Sequence, residues 1–327
     1  MISEVIKLYE DRNDVTLTTY ILQDSPQLLA GGRRPAIIIC PGGAYLDCSD
    51  REAEPVAMKF ASMGYHTFVL RYSRYGTEPD GSKADFFGRT SEPLPKEHCL
   101  YPTHMREIGK SMLIIHEHAG KWLVDTDKIA VCGFSAGAHN AAMYATHWHE
   151  EVICGFFGET ANSDTPGETA FGKEKFRPAA AILGYTLSDY LLMKEAVLAS
   201  SPEDAAFFGL SNTAFLGEAV PSDEKLLAVS PARNVTENTP PTFLWATSAD
   251  AMVPVQQSLQ MAAALADHHI PFEMHIFEEG AHGLSLATPA SAGTKSQING
   301  DAAKWADLAG CWLEKRFALP VPDKNAE

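Results

Sequence analysis

The pentapeptide Gly133-Phe134-Ser135-Ala136-Gly137 carries the strongest chemical signal in the chain. It stands between an apolar run, Ile129-Ala130-Val131-Cys132, that reads as a strand and a stretch that reads as a helix. A strand that turns sharply into a helix strains the backbone of its central residue, so the neighbours must be small. Gly133 and Gly137 supply that room. The turn lifts the Ser135 hydroxyl above the sheet, and the helix N-terminus puts partial positive charge beneath it. A serine becomes a nucleophile beside a base, and the base is oriented by a carboxylate. Among the 12 histidines, His282 in Glu279-Gly280-Ala281-His282-Gly283-Leu284 stands out, because it directly follows the last strand. Its flanking glycines let the imidazole be placed without steric conflict. Asp250, in Thr247-Ser248-Ala249-Asp250-Ala251-Met252-Val253-Pro254, also follows a strand. Alone it reads as a helix N-cap; in register with the other two it reads as the acid. Acyl transfer also needs donors for an oxyanion. Pro41-Gly42-Gly43-Ala44-Tyr45 follows an apolar strand, and the N–H groups of Gly43 and Ala44, with that of Ala136, are the expected donors. Taken alone, Pro-Gly-Gly reads equally well as a type II turn.

These residues need a frame that brings them together. Apolar segments at 35–40, 65–72, 128–134, 178–184, 242–247 and 271–277 read as strands, and 15–22 alternates as a half-buried strand does. Segments 54–63, 104–122, 136–148, 255–268 and 301–317 read as helices, the first preceded by Ser49-Asp50-Arg51-Glu52 as a capping box. Short apolar strands separated by helices imply an α/β fold, with a mostly parallel, doubly wound sheet covered on both faces. Each candidate site residue follows the end of a strand, so all of them should open on one edge. Two stretches break the alternation. Residues 76–102 read as a loop over that edge. Residues 155–177 and 187–231 surround one strand, and in the latter Leu187, Leu191, Leu192 and Leu198 fall at roughly helical spacing. This reads as an inserted helical cap, either extra packing or a substrate gate. Since positions 43, 135, 250 and 282 must converge, one catalytic domain should span 1–327.

Taken together, the motifs resemble those of the α/β-hydrolases, and within that fold the bacterial acetyl-xylan and feruloyl esterases and related carboxylesterases. The matching stretches are Cys40-Pro41-Gly42-Gly43-Ala44-Tyr45, Gly64-Tyr65 onward to Leu70-Arg71-Tyr72, and the Ser135 pentapeptide. They continue in Pro240-Pro241-Thr242-Phe243-Leu244-Trp245 with Asp250 and Val253-Pro254, and in Phe277 with His282-Gly283-Leu284. Pro41 and Ala44 depart from the His-Gly-Gly-Gly pattern of hormone-sensitive-lipase-like enzymes. The resemblance implies a serine esterase with the chain order Ser135, Asp250, His282 and no cofactor or metal. It also implies small acyl groups, such as acetate on a sugar or xylan fragment. The same triad would serve an amide or peptide hydrolase, and a different class of reading is a non-catalytic binding protein on this fold.

Composition narrows the partners. The 327 residues are 45% hydrophobic and 21% charged, as in a folded globule, which excludes disorder as the main state. A net charge of −16 argues against nucleic acid and anionic membranes. No apolar run approaches the roughly 20 residues of a membrane span, and the N-terminus lacks the pattern of a signal peptide. Six cysteines without a CxxC pair fit a reduced, cytoplasmic setting, with Cys40 and Cys132 as small buried hydrophobes. His147-Trp148-His149-Glu150 and the pair His116 and His118 have i, i+2 spacing, which separates the rings around a helix; both read as solvated helix surface, not metal sites. His139, Tyr45 and Trp148 could face a pocket but read first as packing. The expected partner is a small-molecule ester; a homo-oligomer is left open.

Overall fold

A computed structural model describes residues 1–84, 93–158, 172–319 and 321. In β3 (Arg34–Cys40), Ala36, Ile38 and Cys40 pack on one face of the sheet and Ile37 and Ile39 on the other, all fully buried. A strand apolar on both faces must lie inside a sheet covered on both sides. Burying each large side chain in this way contributes about 1.5–3 kcal/mol. The sheet has eight strands in the order β1-β2-β4-β3-β5-β6-β7-β8. Besides β3 they are β1 (Val5–Lys7), β2 (Thr16–Tyr20), β4 (His66–Arg71), β5 (Val124–Phe134), β6 (Ala180–Gly184), β7 (Thr242–Thr247) and β8 (Phe272–Phe277). The pairs β1–β2 and β2–β4 are antiparallel; every pair from β4 through β8 is parallel.

Helices cover both faces. One core joins α2 (Thr103–Trp122), α3 (Ala136–His147) and α8 (Gln256–Asp267) to the sheet through Ile108, Met112, Ala141 and Leu265. The other joins α1 (Glu54–Ala61) and α9 (Trp305–Phe317) through Val56, Phe60, Trp305 and Trp312. A single turn, α4 (Phe156–Gly158), ends at the margin of the described residues. Between β6 and β7 lie α5 (Tyr190–Leu198), α6 (Pro202–Leu216) and α7 (Asp223–Ala228). Each starts on a side-chain cap, Asp189, Ser201 or Ser222, that accepts backbone N–H groups of its first turn. The sequence spacing that suggested a helix here is met in part. Leu187 is buried but precedes α5, and Leu198 is 78% exposed at its end.

The strands and helices expected from the sequence are present, with ends shifted by up to four residues; β1 was not anticipated. Residues 85–92 of the expected 76–102 loop, and 159–171 of the expected 155–177 insertion, lie outside the described residues. The capping box is a correction. Ser49 makes no side-chain cap bond, and Glu52 ends a 3-10 turn (Asp50–Glu52) with its carboxylate turned inward. The solvated end for His147 is another. His147 and Trp148 are buried; His147 Nδ1 lies 2.9 Å from the Met143 carbonyl, and Trp148 Nε1 donates to the Asn238 carbonyl at 2.9 Å. Among the described residues no helix is long and apolar enough to cross a membrane, and no three His, Cys, Asp or Glu side chains group as metal ligands. All six cysteines are free, with Cys40 and Cys132 fully buried.

Candidate active site

Parallel strands end on one edge, so loops leaving β3, β5, β7 and β8 meet there. Register places Cys40 beside Gly133, Phe134 beside Gly184, Gly184 beside Trp245 and Thr247 beside Phe277. The turn from β5 into α3 holds Ser135 at φ 52° and ψ −122°, a conformation side-chain-bearing residues rarely adopt. The glycines are required by close approach. A Cβ on Gly133 would stand 2.2 Å from the Gly137 carbonyl oxygen, and one on Gly137 would stand 2.1 Å from that of Cys40. The elbow is thus wedged against the end of β3, which fixes where the hydroxyl points.

Ser135 Oγ lies 2.8 Å from His282 Nε2, and His282 Nδ1 lies 2.7 Å from Asp250 Oδ2. The other Asp250 oxygen accepts the N–H groups of Met252 and Val253 at 2.9 and 3.0 Å. The two sequence readings of Asp250 therefore merge: one oxygen orders its own turn, the other meets the imidazole. It does not cap α8, whose N-cap is Val255. Gly43 at φ 137° and Ala44 at φ 55° turn the loop after β3 toward Ser135. A side chain on Gly43 would collide with the Asp47 carbonyl, 2.1 Å from its Cβ position. Among the described residues no acceptor meets the N–H groups of Gly43, Ala44 or Ala136.

Two spaces flank Ser135. One, of about 40 Å³, is walled by Ala44, Tyr45, His139, Leu187, Tyr190 and Phe208. Tyr45 and His139 thus serve as both core and pocket wall. Tyr45 Oη is 2.5 Å from His139 Nδ1, and His139 Nε2 donates to the Val229 carbonyl at 2.8 Å. Burial holds the His139 pKa down to about 4, so the ring is neutral. The other space is an open mouth of about 520 Å³ that reaches Ser135 and His282 and carries Asp47, Arg51 and Lys83. Ser211 of α6 donates to the Ala44 carbonyl at 2.9 Å, tying the inserted helices to the loop after β3.

Sequence reasoning missed Glu52 and Tyr185. Glu52 is 3% exposed, and burial raises its pKa, opposed by hydrogen bonds from Tyr185 and Gly42. Its Oε2 accepts the Gly42 N–H at 2.7 Å and its Oε1 accepts the Tyr185 hydroxyl at 2.5 Å. Tyr185 Oη in turn accepts the Ser285 N–H at 3.0 Å, and its ring meets His282 edge-on at 4.9 Å. Arg51 donates to the Gly283 and Ser291 carbonyls at 2.8 Å each. The one available signal was an acidic residue close behind the Pro-Gly-Gly turn, which local spacing assigned to a cap.

A family model described as BD-FAE matches residues 95–265, which include Ser135 and Asp250. Endo-1,4-beta-xylanase B of Butyrivibrio fibrisolvens is 29% identical over 255 residues, covering 78% of this chain and 33% of that protein. The chain spans only 33–52% of the length of the curated relatives it matches. Among solved structures, the carboxylesterase Cest-2923 of Lactobacillus plantarum WCFS1 is 26% identical with a TM-score of 0.74, covering 98% of this chain and all of that one. An acetyl ester-xyloside bifunctional hydrolase of Caldicellulosiruptor lactoaceticus is 28% identical with a TM-score of 0.67, covering 95% and 96% of the two chains.

Proposed function

The chain belongs to the BD-FAE family, and from that premise we propose that it hydrolyses carboxylic esters through an acyl-enzyme on Ser135. The observation that carries this reading is the unbroken line from Ser135 Oγ to His282 to Asp250, at 2.8 and 2.7 Å. Ser135 Oγ attacks the ester carbonyl as His282 Nε2 takes its proton. Asp250 accepts the Nδ1–H, fixes the tautomer and stabilises the imidazolium. The carbonyl oxygen, now negative, receives the N–H groups of Gly43, Ala44 and Ala136, each such donor contributing about 3 kcal/mol to the transition state. His282 then protonates the departing alkoxide. Water, deprotonated by the same imidazole, attacks the acyl-enzyme and releases the acid and Ser135.

The acyl group enters the smaller space and is short, with acetyl the best fit to about 40 Å³. The alcohol occupies the wide mouth, where Asp47, Arg51 and Lys83 suit a hydroxyl-rich moiety such as a sugar or xylan-derived oligosaccharide. The xyloside and xylanase relatives support that substrate class. The helices α5–α7 act as a cap, contributing Tyr190, Phe208 and Ser211 to the pocket. Ser135→Ala should lower kcat on p-nitrophenyl acetate by several orders of magnitude, leaving the residue supplied by binding and the oxyanion donors. Retention of most activity would remove the assignment of Ser135. Acetylated xylo-oligosaccharides should be turned over in preference to p-nitrophenyl octanoate or an aminoacyl anilide; the reverse order would overturn the substrate class.

A further inference from the structure

We propose that Glu52 is a positioning residue, whose carboxylate clamps the oxyanion loop through Gly42 and the histidine loop through Tyr185, so that both close on Ser135 as one unit. The proposal rests on the serine-hydrolase reading and deepens it. Gly42 packs directly under the nucleophile: a Cβ on it would lie 2.9 Å from Ser135 Cβ, 2.8 Å from Glu52 Oε2 and 2.6 Å from the Phe134 carbonyl oxygen. Its N–H is engaged by Glu52 at 2.7 Å. Among the described residues the next two N–H groups, of Gly43 and Ala44, meet no acceptor. On the other side, Glu52 reaches the histidine loop through Tyr185 Oη and Ser285 N–H, at 2.5 and 3.0 Å. Ser285 Oγ closes the circuit by donating to the Arg51 carbonyl at 2.5 Å.

Hydrogen counting bears on the state of the carboxyl. Tyr185 Oη accepts from Ser285, so its own proton goes to Glu52, while Gly42 donates to the other oxygen. Both carboxyl oxygens are thus acceptors, and among the described residues neither has an acceptor for a proton of its own, which favours the ionised form. The clamp thereby ties the turn after β3 to the loop that carries His282. The groups around the His282 ring are Asp250 at Nδ1, Ser135 at Nε2 and Tyr185 on its face. Asp47, Arg51 and Lys83 share the mouth with it, and Arg51 partly offsets Glu52.

The test uses the rate at which a fluorophosphonate labels Ser135, measured over a range of label concentrations. This readout needs the nucleophile, the base and the oxyanion donors, but no knowledge of the natural ester. Glu52→Gln keeps the shape and removes the charge. It should slow maximal labelling about 10- to 100-fold, as a displaced catalytic contact does. The half-saturating concentration should stay near that of the wild type, because the clamp orders the reacting groups and touches no part of the label. Tyr185→Phe keeps the Gly42 bond and cuts the tie to Ser285; it should slow maximal labelling by less, and it decides the matter if Glu52→Gln does not fold. Wild-type rates in both folded variants would overturn the proposal. So would a loss carried by the half-saturating concentration alone in both, which is what a distorted binding site predicts. If the wild type itself takes no label, the serine-hydrolase reading fails first and this inference with it.

Discussion

At the scale of single residues, the site is a division of labour between atoms of the same group. Asp250 gives one oxygen to its own turn and the other to His282, so the acid is held in place by the backbone it terminates. Asp250→Asn should therefore keep the turn, because an amide oxygen can still accept from Met252 and Val253. It should drop kcat by about 10⁴-fold, since the amide cannot hold the imidazole in the required tautomer. Activity within tenfold of wild type on p-nitrophenyl acetate, in a variant with an unchanged melting temperature, would show that Asp250 does not orient the base. Ser135, Asp250 and His282 were legible in the sequence because each sits beside residues with a local signature: small residues at an elbow, a strand just ended, glycines beside a ring. Glu52 has no such signature. Its partners Gly42 and Tyr185 lie 10 and 133 residues away, and only the closed sheet brings the latter near.

At the scale of elements, the strands were readable because β3 to β7 are apolar on both faces, which leaves an uninterrupted run. β1 was not, being a three-residue edge strand, mostly exposed, with no run to detect. The inserted helices were foreseen as a block but not in detail, because their contacts with the loop after β3, such as Ser211 with Ala44, are tertiary. Under the proposed function, those helices would set the acyl size. Tyr190 and Phe208 wall the small space beside Ser135, and the same two residues line an apolar cleft of about 180 Å³ among α5, α6 and α7. Phe208→Ala should join the two. The ratio of kcat/KM for p-nitrophenyl butyrate over acetate should then rise about tenfold or more, the scale on which one methylene is discriminated. A ratio unchanged from wild type would place the acyl group elsewhere.

At the scale of the whole molecule, four buried histidines couple folding to acid: His147, whose pKa burial also lowers, and three more. His66, His104 and His139 are each 1% exposed. Burial pushes their pKa values down to about 4, 3 and 4. Unfolded, each titrates near 6.5, so between about pH 6.5 and 4 the unfolded chain binds protons that the native one refuses. Stability contributed by these groups is full above 6.5 and is lost as pH falls, by about 1.4 kcal/mol per pH unit for each. Glu107 acts in the opposite sense: burial raises its carboxyl to about 7, so the native state takes up its proton first and gains stability from 7 down to its unfolded value. Four against one leaves a net loss below about pH 6, and Glu52, also raised, only softens it. Long-range repulsion does not account for such a loss, because the chain's isoelectric point is about 5.2 and its net charge is smallest there. His104 isolates the effect. Its ring packs at tilted and edge-on angles among Tyr45, Tyr72 and Phe215, with centroids 4.6, 5.7 and 5.6 Å away, so phenylalanine fits the same place. His104→Phe should leave the urea midpoint at pH 7 near or above that of the wild type. Between pH 6 and 5 it should make the decline shallower by about 1.4 kcal/mol per pH unit, one proton's share. Parallel declines in the two proteins would mean that His104 takes its proton in the folded state as readily as in the unfolded one.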